Sequence, residues 1–350
     1  MVPVMGNWFG YALGAVLGII GGIVMQAIGS PLPWYIGPLM FNAIPALAGV
    51  PVRGLNMLRP VALPVLGVVL GSAFLPDIFA NAGAFVFALS LIPVFIVAST
   101  SVNYLYYRRV AHLDPITSYL SSVPGGLNDM VLMGEQSGGD SRQIALSHSL
   151  RVIVSVVGIA VLVVLIAGDQ TGQAGERGLV AFGEVPPLEL LILLGCAAFG
   201  PLAGRLLRIP ARAILGALIL SAIAHLTEVV HTAPPTTISR AAQMVLGGAV
   251  GASFAGMHLR VVARSIMHGL IAAVLAICVS GSIALIAYLA GGMDFFASLL
   301  SYAPGGLMEM SLLALAINQS VAFVTIAHTM RYVIVMFTAI FIFNLLHKRD

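Results

Sequence analysis

Two four-residue stretches, His148-Ser149-Leu150-Arg151 and His328-Thr329-Met330-Arg331, set an imidazole and a guanidinium three residues apart inside long apolar runs. At that spacing both side chains share one face of a helix. Upstream of each stands a Pro-Gly-Gly-Leu with an acid just after it: Pro124, Gly125, Gly126 and Leu127 precede Asp129, and Pro304, Gly305, Gly306 and Leu307 precede Glu309. A guanidinium in apolar surroundings needs a carboxylate or a bound anion, and it can grip a carboxylate through two parallel N–H bonds. The spacing predicts ion pairs between Arg151 and Asp129 and between Arg331 and Glu309. Each acid has two readings that the residues leave open, a first-turn helix cap or a cation ligand and proton carrier. The imidazoles titrate near neutrality and can relay protons.

Proline lacks an N–H and clashes with the preceding turn, and glycine permits positive φ, so each Pro-Gly-Gly ends one short helix and starts another. The half-helices beginning at Leu127 and Leu307 direct N–H groups and positive dipole ends at the break, which suits an anion's oxygens. Those ending near Ser122 and Tyr302 present carbonyls, which suit Na⁺ or a proton donor. The candidate substrate- and ion-binding residues are therefore Pro124, Gly125, Gly126, Asn128, Asp129, His148 and Arg151, with Pro304, Gly305, Gly306, Glu309, His328 and Arg331 in the second copy. Asn128 has no polar twin, because Met308 stands at its place. The pattern assigns no catalytic residue, no metal-ligand set and no cofactor, Na⁺ excepted as a coupling ion.

These motifs sit in a chain of 350 residues that is 59% hydrophobic and only 8% charged, with a mean hydropathy of +1.04. Such values belong to integral membrane proteins. Apolar runs of about 20 residues, enough to cross the hydrocarbon layer as a helix, recur along its length and leave no room for a soluble domain. The opening MVPVMGNWFG has no Lys or Arg ahead of its apolar run, so the first helix is expected to stay as an anchor. Cys196 and Cys278 lie in apolar runs and point to no disulfide framework. No basic stripe with interleaved aromatics suggests nucleic acid.

The chain is a duplication. At an offset of 180 residues, ten of the twenty positions from 114 to 133 are identical, and Gly67, Gly71 and Phe74 meet Gly247, Gly251 and Phe254. With a shift of one, IGPLMFNAI at 36–44 matches LGALILSAI at 215–223. The expected organisation is a first membrane repeat at 1–168, a polar linker at 169–187 and a second repeat at 188–350. Each repeat holds five predicted spans and one Pro-Gly-Gly segment. If those segments are re-entrant and the N-terminus is inside, Arg53, Arg59, Arg108, Arg109, Arg142, Arg205, Arg208 and Arg212 gather on the cytoplasmic side. Five spans are an odd number, so the second repeat enters the membrane inverted, a recurrent plan of secondary transporters. The predicted fold is thus an all-α polytopic membrane protein, about ten helices in two inverted five-helix repeats. Glycines at four-residue spacing, Gly14, Gly18, Gly22, Gly67, Gly71, Gly200, Gly204, Gly247 and Gly251, are read as close-packing helix faces.

The doubled unit, with its PGGL, acid and H-x-x-R in each half, resembles the AbrB-duplication membrane protein family over nearly the whole chain. That resemblance brings two functional names, ammonia monooxygenase and regulator of gene expression. In plan the chain is also similar to 2-hydroxycarboxylate and citrate transporters, which carry Gly-Gly re-entrant hairpins in each inverted half, an analogy of architecture.

The expected function is a secondary active transporter of a small anionic solute, a carboxylate, coupled to Na⁺ or H⁺, with alternating access at the two breaks. The alternative is a membrane sensor that influences gene expression indirectly. An ammonia-oxidising enzyme ranks last, because the histidines are scattered and form no two-His-plus-carboxylate grouping. Expected partners are the solute and the lipid bilayer, with a homodimer compatible with this plan. The expected location is a bacterial inner membrane, with both termini cytoplasmic.

Overall fold

A computed structural model describes residues 5–74, 82–167, 180–209, 211–256 and 259–347. Its described elements are helical, with one isolated bridge between Val180 and Pro235. In the first half, α1 (Met5–Ala27), α2 (Pro33–Leu47) and α3 (Arg59–Gly71) precede α4 (Ala82–Ser90) and α5 (Ile92–Arg109). A short pair follows, α6 (Pro115–Ser122) and α7 (Leu127–Ser137), and then α8 (Ser141–Ala167). The second half keeps that order: α9 (Pro187–Leu206), α10 (Arg212–Leu226), α11 (Thr236–Ala252), one long α12 (Leu259–Gly291), the short pair α13 (Phe295–Tyr302) and α14 (Leu307–Ala316), and α15 (Val321–His347). Pro93 explains why α4 and α5 are two helices where α12 is one. It removes an N–H at the start of α5, and the aligned residue in α12 is Ala273.

Among the described residues, six helical segments are long and apolar enough to cross a membrane: 8–27, 83–109, 141–166, 187–206, 263–291 and 321–338. The helices α2, α3, α10 and α11 have 15, 13, 15 and 17 residues. At 1.5 Å per residue they reach about 20–26 Å, less than the roughly 30 Å layer. Residues 169–179 of the expected linker lie outside the described residues, and so do residue 168, Asp77 and the C-terminal 348–350.

Two compact units form, each drawing helices from both sequence halves. The first, Met1–Ile78, Ala160–Val262 and Leu315–Val321, holds α1 to α3 and α9 to α11. Its helices meet through backbone, and they meet twice in the same way. A side chain at Gly37 would strike the Gly21 carbonyl, and one at Gly216 the Gly200 carbonyl. One at Gly67 would strike Ile214 O and one at Gly247 the aligned Tyr35 O, while Gly71 faces Leu218 O as Gly251 faces Leu39 O. Helix α3 of the first half therefore packs on α10 of the second, and α11 packs on α2. Of the glycines predicted to pack helices, Gly14 lies against Arg53, Gly18 against Met244, Gly22 against Trp34 and Gly204 against Arg212. Cys196 belongs to the apolar core here, with Val68, Leu193 and Ala217. Overpacking a close backbone contact costs about 1–3 kcal/mol. Gly216→Val is expected to lower the thermal unfolding midpoint in detergent, and an unchanged midpoint would mean that α9 and α10 do not depend on this approach.

The second unit, Phe79–Ile159, Ala263–Ala314 and Ala322–Asp350, contains both Pro-Gly-Gly segments and both His-x-x-Arg motifs. Its short helices start alike. Asp114 Oδ1 accepts from Thr117 N at 2.9 Å and Asp294 Oδ1 from Ala297 N at 3.0 Å, N-caps for α6 and α13. With 8 residues each, α6 and α13 extend about 12 Å and cannot cross the layer alone.

Candidate functional site

The chain at both breaks is extended. Val123 (φ −62°, ψ 131°), Gly126 (φ −70°, ψ 134°) and Ala303 (φ −52°, ψ 139°) adopt conformations open to any residue, and none of the four break glycines has positive φ. The expected reason for glycine is thus replaced by another, which is space. A Cβ at Gly126 would fall 2.5 Å from Asp129 Oδ2, and one at Gly306 would collide with the Glu309 carboxylate. Each acid folds back over the first turn of its own half-helix, where exposed N–H groups and the dipole favour negative charge. At Gly125 and Gly305 the methionine of the following helix, Met130 or Met310, fills the room that a Cβ would need.

The arginines take other partners than expected. Arg151 Nη1 donates to Val123 O at 3.0 Å and Nη2 to Gly125 O at 3.5 Å. Arg331 repeats this with Ala303 O at 2.6 Å and Gly305 O at 2.8 Å. The guanidinium of each copy thus clasps two carbonyls of its own break. Val123 and Ala303 are the C-caps of the short helices, at their negative dipole ends, so the positive charge is stabilised where it sits.

Each histidine holds its arginine. His148 Nδ1 lies 2.8 Å from Arg151 Nη2 and its Nε2 2.8 Å from Leu120 O; His328 Nδ1 lies 3.0 Å from Arg331 Nη2 and its Nε2 2.9 Å from Leu300 O. Arginine only donates, so Nδ1 must accept, and a carbonyl only accepts, so Nε2 must carry the proton. Both imidazoles are neutral with both nitrogens engaged. This makes them orienters of the guanidinium rather than the proton relays that their type suggested. Carbonyls at these helix ends take side-chain donors: Leu120, Val123, Leu300 and Ala303 accept from these side chains, and Tyr302 O accepts from Ser280 Oγ at 2.9 Å.

Contacts between the copies reach the first break. Tyr332 Oη donates to Asp129 Oδ2 at 2.8 Å, and Val335, one turn on, lies against Gly125. Tyr332 escaped the sequence reading because it has no twin; the aligned residue is Val152, and that departure from the repeat was the available signal. Asp129 is partly exposed whereas Glu309 is buried. Pro124 and Pro304 are buried at the breaks. The side chain of Asn128 lies outside the described residues.

A family model described as transition state regulatory protein AbrB matches residues 34–347. The chain belongs to the AbrB family. Two relatives span nearly its full length: uncharacterized protein YhjN of Bacillus subtilis (strain 168) is 25% identical over 348 residues, covering 93% of this chain and 90% of that protein. The putative regulator AbrB of Escherichia coli (strain K12) is 26% identical over 326 residues, 92% of each chain. The AbrB match encloses both breaks and both His-x-x-Arg pairs, so the site described above lies wholly within the family region.

Proposed function

We propose that this AbrB-family protein is a secondary active transporter of a small anionic solute, a carboxylate, coupled to Na⁺ or H⁺, with its binding centre at the two breaks. The observation that carries the reading is the twice-built joint: two interrupted helices in one compact unit, each with a buried arginine clasping its carbonyls. Irregular backbone is tolerated at membrane depth only where it is buried in protein or lines a wet cavity. Buried charge there marks a pathway.

In this reading the six long helices and the four shorter ones give ten spans, the repeats are inverted, and α6–α7 and α13–α14 are re-entrant hairpins. The exchange of partners in the first unit, α3 on α10 and α11 on α2, supports a two-fold relation between the repeats. The two arginines, each held by its histidine, supply the positive charge that draws the solute to the breaks. Asp129, partly exposed and tied to the other copy, is the acid placed to bind the coupling ion. No catalytic step is assigned. The protein sits in a bacterial inner membrane, with its termini cytoplasmic.

The test is uptake into proteoliposomes under imposed Na⁺ or H⁺ gradients across a panel of carboxylates. Saturable, gradient-dependent uptake is expected, and none with any carboxylate under either gradient would sink the transporter. Cysteines at 112 and 137 should label from the same side if the first segment is re-entrant. The family description and the name of the Escherichia coli relative favour a second reading, a membrane sensor acting on gene expression indirectly. It predicts solute binding without uptake.

A further inference from the structure

The two copies differ in the surroundings of their arginines. On α8, Gln143, Ser147, Arg151 and Ser155 stand four residues apart, form one stripe and are all buried. On α5, Ser99, Asn103 and Tyr107 form another, also buried. The stripes meet where Tyr107 lies beside Ser147 and within reach of the Arg151 charge. In the second copy the aligned residues are Phe323, Ala327 and Val335 around Arg331, and Val279, Ile283 and Ala287 on α12. Six polar positions have become apolar. The arginine alone is kept.

The polar stripes are not self-satisfied. Asn103 Nδ2 donates to Ser99 O at 3.0 Å, which leaves Asn103 Oδ1 over, and that atom has no partner. Neither has Arg151 Nε, Ser155 Oγ or Thr100 Oγ1, all buried atoms. The hydroxyl aligned with Thr100 is fully used: Ser280 Oγ reaches Ala276 O at 2.8 Å and Tyr302 O at 2.9 Å. A buried polar group without a partner costs about 1–3 kcal/mol. Several such groups together, donors and acceptors alike, meet the condition for holding ordered water or a polar ligand.

We propose that the first copy alone carries a hydrated pocket between α5 and α8, at Thr100, Asn103, Arg151 and Ser155, which takes water and the oxygens of the solute. The weaker clasp of Arg151, 3.0 and 3.5 Å against 2.6 and 2.8 Å for Arg331, leaves the first arginine freer to turn a donor toward it. Arg331 then serves its own break, and the binding centre has one wet side. The solute's place in the pocket rests on the transport reading, but the hydration does not.

The experiment uses the full chain with Cys196 and Cys278 replaced by alanine and one new cysteine at a time. Asn103→Cys and Ser155→Cys are compared with Ile283→Cys and Val335→Cys, positions equally buried, so depth does not separate them. N-ethylmaleimide reacts with the thiolate, which forms where water reaches, so labelling is expected to be at least about tenfold faster at the first pair than at the second. Ser155→Cys exchanges one atom, which keeps the comparison usable if Asn103→Cys does not fold. Equal rates, or faster labelling at 283 and 335, would overturn the pocket and leave the transport reading standing. Absence of carboxylate uptake would sink that reading without touching the labelling result.

Discussion

Arg331→Met is expected to destabilise the protein more than any other single change at the two breaks. It strips partners from Ala303 O, Gly305 O and His328 Nδ1 together. Each buried acceptor left unpaired costs about 1–3 kcal/mol, against a total stability of roughly 5–15 kcal/mol for a folded domain. Arg331→Lys should rescue little, since a single ammonium cannot reproduce the planar fork that reaches two carbonyls and a ring nitrogen. Arg151→Met should cost less, because its bond to Gly125 is already long at 3.5 Å. The measurement is the thermal midpoint of purified protein in detergent. If Arg331→Met melts with the unchanged protein, the clasp is not what holds the second break.

Asp129→Asn is expected to abolish the dependence of uptake on the coupling ion while leaving the thermal midpoint nearly unchanged. Tyr332→Phe probes the same atom from the other side. A hydroxyl donating to Asp129 Oδ2 occupies one lone pair of the carboxylate, so an arriving Na⁺ must compete with it. A hydrogen bond to a charged group is worth about 1.5–3 kcal/mol, so its removal should tighten coupling-ion binding by roughly 10- to 100-fold. Glu309→Gln should affect coupling less, because Glu309 is buried whereas Asp129 is partly exposed. Unchanged ion dependence in both Asp129→Asn and Tyr332→Phe would remove Asp129 from the coupling site.

The sequence made the doubled plan legible because identity at a fixed offset survives where packing demands it. The short helices flanking Pro124 and Pro304 and the shared face of His148 and Arg151 follow from spacing alone. The partners of Arg151 did not, since a backbone carbonyl has no letter in a sequence while a carboxylate does, and the nearest acids drew the prediction. The break glycines were misread for a related reason. Positive φ is glycine's common use, but here the missing Cβ makes room for the acid three residues on. The lengths of α2, α3, α10 and α11 were less legible, because their apolar turns run on into the flanking loops; Gly49, with φ 86°, closes the segment after α2 at 15 helical residues.

The backbone contacts of α2 also set the order in which the chain can be finished. Tyr35 O and Leu39 O are covered by Gly247 and Gly251, roughly 200 residues later in the chain. At about 5–20 residues per second of synthesis, α2 spends roughly 10–40 s beside the ribosome before α11 exists. Over that interval its glycine-packed groove is open to lipid and to any neighbouring helix. A ribosome stalled between α10 and α11 therefore holds α2 with α1 packed on it and one groove still unfilled.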